Sequence, residues 1–121
     1  MDILALTNTL KIPAYSNKRC DTIGMDSFEQ CFRIKHFTNY PKFDYHFNSL
    51  GYRTDEIDDS VPCICVFGCS VTMGSAMRSQ DLYLSHIGNH LKLQTYNFGI
   101  GGGSDSTSVR LALTWLEKLN V

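Results

Sequence analysis

A short apolar run near the middle of the chain gives the first predicted element. The run Cys63-Ile-Cys-Val-Phe67 contains no charged or amide side chain and lies between Pro62 and Gly68. An uninterrupted apolar run of this length is typical of a strand that is buried on both faces, as in a parallel sheet. The pattern therefore predicts a buried parallel strand, followed by a turn through Gly68, Cys69 and Ser70.

After this turn, apolar residues recur at helical spacing in two segments. The first segment predicts a helix over residues 81–93, and the second predicts a helix over residues 105–119. Residues 94–98 lie between them and form the next predicted strand. The first helical stripe consists of Leu84, Ile87 and Leu91. The second helix has two apolar stripes, which indicates that it packs widely against a sheet.

The order of these elements predicts the fold class. From residue 63 onward the order is strand, loop, helix, strand, glycine-rich loop and helix, which is a βαβ unit with a second helix attached. We expect an α/β fold with a three-layer, flavodoxin-like parallel sheet. Because two parallel strands make a poor sheet, we expect this one to be truncated on its C-terminal side. Residues 1–60 form an N-terminal extension, and residues 61–121 form the first half of the α/β domain.

The N-terminal extension has weaker patterns. Ser27 and Gln30 stand at the spacing of a capping box, which predicts a short helix over residues 28–36. Aromatic residues alternate at positions 43, 45 and 47. This alternation predicts an extended lead-in with one apolar face, followed by a turn.

Composition and charge exclude several function classes. Hydrophobic residues make up 43% of the chain, charged residues make up 19%, and the net charge is −1. This balance argues against a nucleic-acid partner or an anionic membrane surface. No apolar run approaches the roughly 18 residues of a membrane span, and the first residues lack the basic start of a signal peptide. We therefore expect a cytoplasmic protein without a membrane partner.

Two glycine-containing motifs carry the candidate chemistry. Phe67-Gly-Cys-Ser-Val-Thr-Met-Gly74 follows the central strand, and Asn97-Phe-Gly-Ile-Gly-Gly-Gly-Ser104 follows the next one. They resemble the first two sequence blocks of the SGNH (GDSL-type) hydrolases, with Cys69 in place of the usual Asp. The segment from Phe47 to Arg53 also resembles the Asn-x-x-Gly-aromatic-Arg lead-in of some bacterial and phage SGNH-like proteins. On pattern alone, the same segment is equally typical of a hairpin-like surface loop.

The resemblance implies a serine hydrolase that acts on a small ester or acylated substrate and needs no cofactor. By this match Ser70 is the nucleophile, and the backbone N–H groups of Ser70 and Gly102 form the oxyanion hole. The matched supporting positions are Gly68, Cys69, Asn97, Gly99 and Gly101. A physical reason accompanies the match, because small residues before a helix offer free N–H groups to a developing oxyanion.

The catalytic base is the component that the sequence does not supply. The family's third-block Asn and its C-terminal Asp-x-x-His motif do not follow the glycine loop. His86 and His90 lie on a predicted helix that runs away from the nucleophile, roughly 7 Å and roughly 13 Å along its axis. A base must come within about 3 Å of the hydroxyl or act through one water. His36 and His46 stay candidates for the base, because the pattern does not place the N-terminal extension relative to Ser70.

Three other interpretations compete with the hydrolase. A Rossmann-type nucleotide loop fits poorly because Ser104 occupies the position of its last glycine. A non-catalytic SGNH-like protein would bind a ligand or assemble with another chain, including a homo-oligomer formed through an open sheet edge. A metal or redox module would use the cluster Cys63, Cys65 and Cys69, with Cys20 or Cys31 completing a zinc set. A straight buried strand is a poor zinc knuckle, so we expect reduced, buried cysteines and no metal site.

Overall fold

The computed structural model describes residues 11–20 and 44–121. The helix predicted over residues 28–36 lies outside these ranges, as do Cys31, His36 and Phe43. Within the described ranges the strands are β1 (Arg19–Cys20), β2 (Tyr45–His46), β3 (Cys63–Gly68) and β4 (Gln94–Gly99). The α-helices are α1 (Ser70–Met73), α2 (Tyr83–Leu91) and α3 (Asp105–Leu116), and 3₁₀ turns cover Pro13–Tyr15 and Ser79–Asp81.

The described strands form two separate two-stranded sheets. β1 and β2 pair antiparallel, whereas β3 and β4 pair parallel, with Gly68 opposite Gly99 at their carboxyl ends. The expected three-layer, flavodoxin-like parallel sheet is therefore wrong, because one sheet is antiparallel and neither exceeds two strands. Just before β3, Pro62 forms one isolated parallel bridge with Asn120. The apolar pattern located β3 and β4 correctly, but it did not predict β1 and carried no information on how many strands would pair.

The local predictions for the second half of the chain agree well with the structure. Both predicted strands are confirmed, and each extends by one glycine. β3 is buried only at Cys63 and half-buried beyond it, so the predicted burial on both faces is wrong. The helix predicted over residues 81–93 is shorter at both ends, and Lys92 terminates it with a left-handed φ of 54°. The helix predicted over residues 105–119 begins as expected but ends at Leu116. Its predicted wide packing is wrong, because the stripe Val109, Leu113 and Leu116 is exposed. The side chain of Ser104 caps the helix, since its Oγ accepts the Thr107 N–H at 3.3 Å.

The main core lies between the parallel sheet and α3 and is built from aromatic rings. Trp115 of α3 stacks on Phe98 of β4, with ring centroids 4.9 Å apart. Tyr52 meets Phe98 edge-on, also at 4.9 Å. All three side chains are almost fully buried. Aromatic pairs of these geometries are favourable beyond the area they bury, so the segment before β3 and helix α3 are both held on β4.

A second apolar cluster joins the antiparallel sheet to α1. It consists of Tyr45, Phe47 and Met73. Asp44 and His46 alternate with the two aromatic residues and are exposed. The described part of the predicted extended lead-in is thus confirmed, with its apolar face against α1. None of the helices in residues 11–20 and 44–121 combines the length and hydropathy needed to cross a membrane.

Candidate functional site

The turn that carries Ser70 is short because a glycine permits close packing. β3 ends at Gly68 and α1 begins at Ser70, so Cys69 alone separates strand from helix. A Cβ atom on Gly68 would overlap Oγ1 of Thr72, which packs directly over the strand end. Any side chain at this position would force the turn open. The turn thus places Ser70 at the carboxyl edge of the parallel sheet, where it is half-buried.

The glycine loop leaves the sheet at the same level as the Ser70 turn. The N–H of Ile100 donates to the carbonyl oxygen of Gly68 at 2.9 Å, which joins the two turns directly. Gly102 has a φ of 76°, and a Cβ atom there would contact nothing within 4 Å. Backbone conformation, and not packing, therefore requires glycine at 102. In the described part of the chain, the N–H groups of Gly101 and Gly102 donate to no acceptor.

The side chain of Asn97 links α1 to the carboxyl end of β4 by hydrogen bonds. Its Nδ2 donates to the carbonyl oxygen of Thr72 at 2.8 Å, and its Oδ1 accepts the N–H of Gly99 at 2.9 Å. Its own N–H donates to Oγ1 of Thr54 at 3.1 Å. Asn97 is 3% exposed. A buried amide with both ends bonded holds its neighbours in one geometry, because breaking either bond leaves a buried polar group unsatisfied.

Arg53 holds the opposite end of α1, a role that the sequence alone did not reveal. The side chain is 4% exposed, and Nη1 donates to the carbonyl oxygens of Met73 and Gly74 at 3.2 and 2.6 Å. Nη2 donates to the carbonyl oxygen of Met77 at 2.8 Å. The guanidinium lies 4.2 Å from the centre of the Tyr45 ring. Arg53 therefore satisfies the carbonyls at the C-terminal end of the helix that begins with Ser70.

The lead-in segment before β3 is a buried connector and not a surface loop. Oδ1 of Asn48 accepts the N–H groups of Leu50 and Tyr52 at 3.1 and 3.0 Å, which closes the turn. Gly51 has a φ of 89°, and a Cβ atom there would overlap the carbonyl oxygen of Ile12. The Asn-x-x-Gly-aromatic-Arg pattern was the available signal for this arrangement. Asn48 and Gly51 build the turn. Of the two residues after it, Tyr52 packs in the main core and Arg53 binds the carbonyls at the end of α1.

No histidine in residues 11–20 and 44–121 is bonded to the Ser70 hydroxyl. His86 and His90 are exposed on α2, as predicted for ordinary surface residues. His46 is exposed on β2, with its Nε2 atom 3.4 Å from a nitrogen of Arg19. His36 lies outside the described residues. The described part of the site thus presents a half-buried serine and backbone N–H groups of the glycine loop without a bonded base.

The cysteines of β3 are poorly suited to nucleophilic or metal chemistry. The Sγ atoms of Cys63 and Cys65 lie 3.8 Å apart on one face of the strand. Burial, assisted by Cys63, raises the pKa of the Cys65 thiol to about 12. The reactive form of a cysteine is the thiolate, so Cys65 is inert at neutral pH. Within the two described ranges, no three His, Cys, Asp or Glu side chains converge as a metal site would require.

Comparisons with known proteins identified no relative of this chain. Two turns, one buried asparagine and one buried arginine define the candidate site, and the resemblance to SGNH hydrolases depends on its two sequence motifs. No protein-family model, curated protein or solved structure matches this chain.

Proposed function

We propose that this chain carries a serine nucleophile site of the SGNH type, directed at ester or acyl groups of small substrates. Ser70 is the nucleophile, and the N–H groups of Ser70 and Gly102 are the oxyanion donors. One observation carries the proposal. Gly68 and Gly99 are register partners on parallel strands, so the two motifs of the resemblance meet at one sheet edge. Asn97 then hydrogen-bonds to Thr72 of α1 and to Gly99 at the end of β4.

The proposed reaction is acyl transfer to Ser70 followed by hydrolysis. The Ser70 oxygen attacks the ester carbonyl carbon, the hydroxyl proton passes to a base, and the alcohol leaves with a proton. Water then releases the carboxylic acid from the acyl-enzyme. A serine hydroxyl needs a base within about 3 Å, or one water away, to react at useful rates. The proposal therefore takes its base from outside the described residues, where His36 lies, or from a second polypeptide.

Charge and cysteine state support the remaining parts of the proposal. A net charge of −1 favours a small substrate over nucleic acid. Cys20, Cys63, Cys65 and Cys69 are free thiols. Free thiols are the common state in the reducing cytoplasm, which is the location that we propose.

Covalent labelling tests the proposed nucleophile. The protein is incubated with a fluorophosphonate, and its intact mass is measured. We expect one adduct, which Ser70→Ala abolishes and Cys69→Ala, a matched change at the neighbouring exposed residue, preserves. An unlabelled wild-type protein whose circular dichroism shows a folded chain would overturn the hydrolase proposal.

The free edge of β3 favours a second candidate function, non-catalytic assembly. The N–H of Cys63 donates to the carbonyl oxygen of Asn120 at 3.0 Å, and no other described residue pairs with this edge. β3 carries no charge that would block pairing with another strand. Nearby, α3 exposes an apolar stripe at helical spacing. Its members are Val109, Leu113 and Leu116, at 57%, 66% and 45% exposure.

Light scattering after size-exclusion chromatography tests this second candidate. We expect a dimer or larger species that Leu113→Lys dissociates. Leu93→Lys is the matched control, because Leu93 is also an exposed apolar residue but lies outside the stripe. A wild-type monomer at high concentration would exclude self-assembly, and equal effects of the two substitutions would exclude the stripe as the interface.

A further inference from the structure

A cavity of about 330 Å³ lies between α3 and the segment that contains Ile12, on the side of the helix that faces Tyr52. It is separate from the Ser70 turn, since neither Ser70 nor Gly102 lines it. Thr107, Arg110, Leu111 and Thr114 contribute from the helix. These four residues lie on the face of α3 opposite the exposed apolar stripe of Val109, Leu113 and Leu116. The cavity is therefore distinct from that stripe.

The walls of the cavity are largely apolar and firmly held. Ile12, Ile100 and Leu111 pack against the main core. The N–H of Ile12 donates to the carbonyl oxygen of Leu50 at 2.7 Å, which ties the N-terminal wall to the lead-in turn. Tyr52 is 1% exposed and is fixed edge-on between Phe98 and Trp115. A preformed apolar cavity of this size is at the lower end of the range of small-molecule sites, about 300–1,000 Å³.

Two cationic residues line the same cavity. Lys11 and Arg110 are both exposed. Neither has an ion pair with a carboxylate in the part of the chain that the structure describes, whereas the exposed Arg78 does pair with Asp81. Apolar walls beside two cationic side chains that have no ion pair among residues 11–20 and 44–121 are complementary to a ligand with a hydrocarbon body and an anionic head.

We propose that this cavity binds a single-chain amphiphile with a carboxylate head. The hydrocarbon chain lies against Ile12, Ile100 and Leu111, and the carboxylate lies between Lys11 and Arg110. At about 30 Å³ for each water-sized group, the cavity accepts a chain of about ten carbons. The binding site is independent of the Ser70 chemistry and stands whether or not Ser70 reacts.

Calorimetric titration with decanoate below its micellar concentration tests the proposal. We expect saturable binding with one decanoate per chain. Decyltrimethylammonium, which has the same chain length and the opposite charge, should bind at least about tenfold more weakly, because it meets Lys11 and Arg110 with like charge. The fluorescence of Trp115, the one tryptophan of the chain, gives an independent signal, since its ring lies 6.2 Å from that of Tyr52.

Two substitutions locate the ligand. Arg110→Glu reverses an exposed charge at the cavity and should weaken decanoate binding at least about tenfold. Thr107→Phe should reduce binding by filling the space. Lys92→Glu reverses an exposed charge on another element and should leave binding unchanged. The proposal is overturned by an absence of saturable decanoate binding, by equal affinity for both amphiphiles, or by unchanged affinity in both cavity variants with folded circular dichroism spectra.

Discussion

Asn97 donates a hydrogen bond from Nδ2 to the carbonyl oxygen of Thr72 at 2.8 Å, across the junction between β4 and α1. Twenty-five positions separate the two residues in the sequence. This bond, together with the bond from Gly99 to Oδ1 of Asn97, keeps the glycine loop against the turn that carries Ser70. The geometry of the candidate oxyanion donors therefore depends on a residue that is not itself a donor to substrate.

Asn97→Ala should lower the free energy of unfolding by about 1–3 kcal/mol, because it leaves buried backbone groups of Thr72 and Gly99 without partners. Urea denaturation measures this change. Asn89→Ala is the matched control, since Asn89 is exposed on α2, and we expect it to stay within about 0.5 kcal/mol of the wild type. Equal effects of the two substitutions on the free energy of unfolding would contradict the role of Asn97 in linking α1 to β4.

Arg53→Met should lower the free energy of unfolding by more than about 1.5 kcal/mol, since the carbonyls that Arg53 binds lose a charged donor in a buried place. Arg53→Lys should recover only part of this loss, because an ammonium cannot reproduce the planar fork that reaches Met73, Gly74 and Met77 together. Urea denaturation of both variants provides the comparison. Full stability of Arg53→Lys would show that charge alone is sufficient.

Gly102→Ala and Gly99→Ala should differ in their effects because the two glycines are required for different reasons. At Gly102 a methyl group meets open space, so only the left-handed backbone is strained, at about 1–2 kcal/mol. At Gly99 a methyl group would overlap the backbone nitrogen of Met73, and α1 must move to admit it. We expect the larger loss in thermal unfolding experiments for Gly99→Ala. The reverse order would refute the close contact between β4 and α1.

Stability should decrease at alkaline pH through Cys65. Its pKa rises from 9.0 to about 12 in the folded protein, so the folded state favours the neutral thiol. The resulting stabilisation is fully present below pH 9 and is lost as the pH rises toward 12, because the unfolded chain deprotonates first. Urea denaturation at a series of pH values should show a shallower alkaline decrease for Cys65→Ala than for the wild type. An equally steep alkaline decrease in Cys65→Ala would contradict this origin.

The two glycine-containing motifs contain residues that the fold brings close together. Gly68, Ser70, Asn97 and Gly99 lie at one edge of the parallel pair, and Asn97 provides the contact that joins the turns. The motifs said nothing about Arg53 beyond its place in the lead-in pattern. A single charged residue in a loop has no periodicity that would predict its burial, and its partners are backbone carbonyls about twenty residues away.

The amino-acid sequence by itself determined the local elements of this protein. The apolar run of β3, the stripe of α2 and the cap at Ser104 depend on interactions between residues close in the chain, and these leave a readable pattern. Only the tertiary structure decided that, among the described residues, β3 has no strand partner besides β4, that Arg53 binds the carbonyls at the end of α1, and that a cavity forms beside Tyr52. Each of these results depends on long-range packing, in which the partner of a residue is selected by the whole fold and not by its neighbours in sequence.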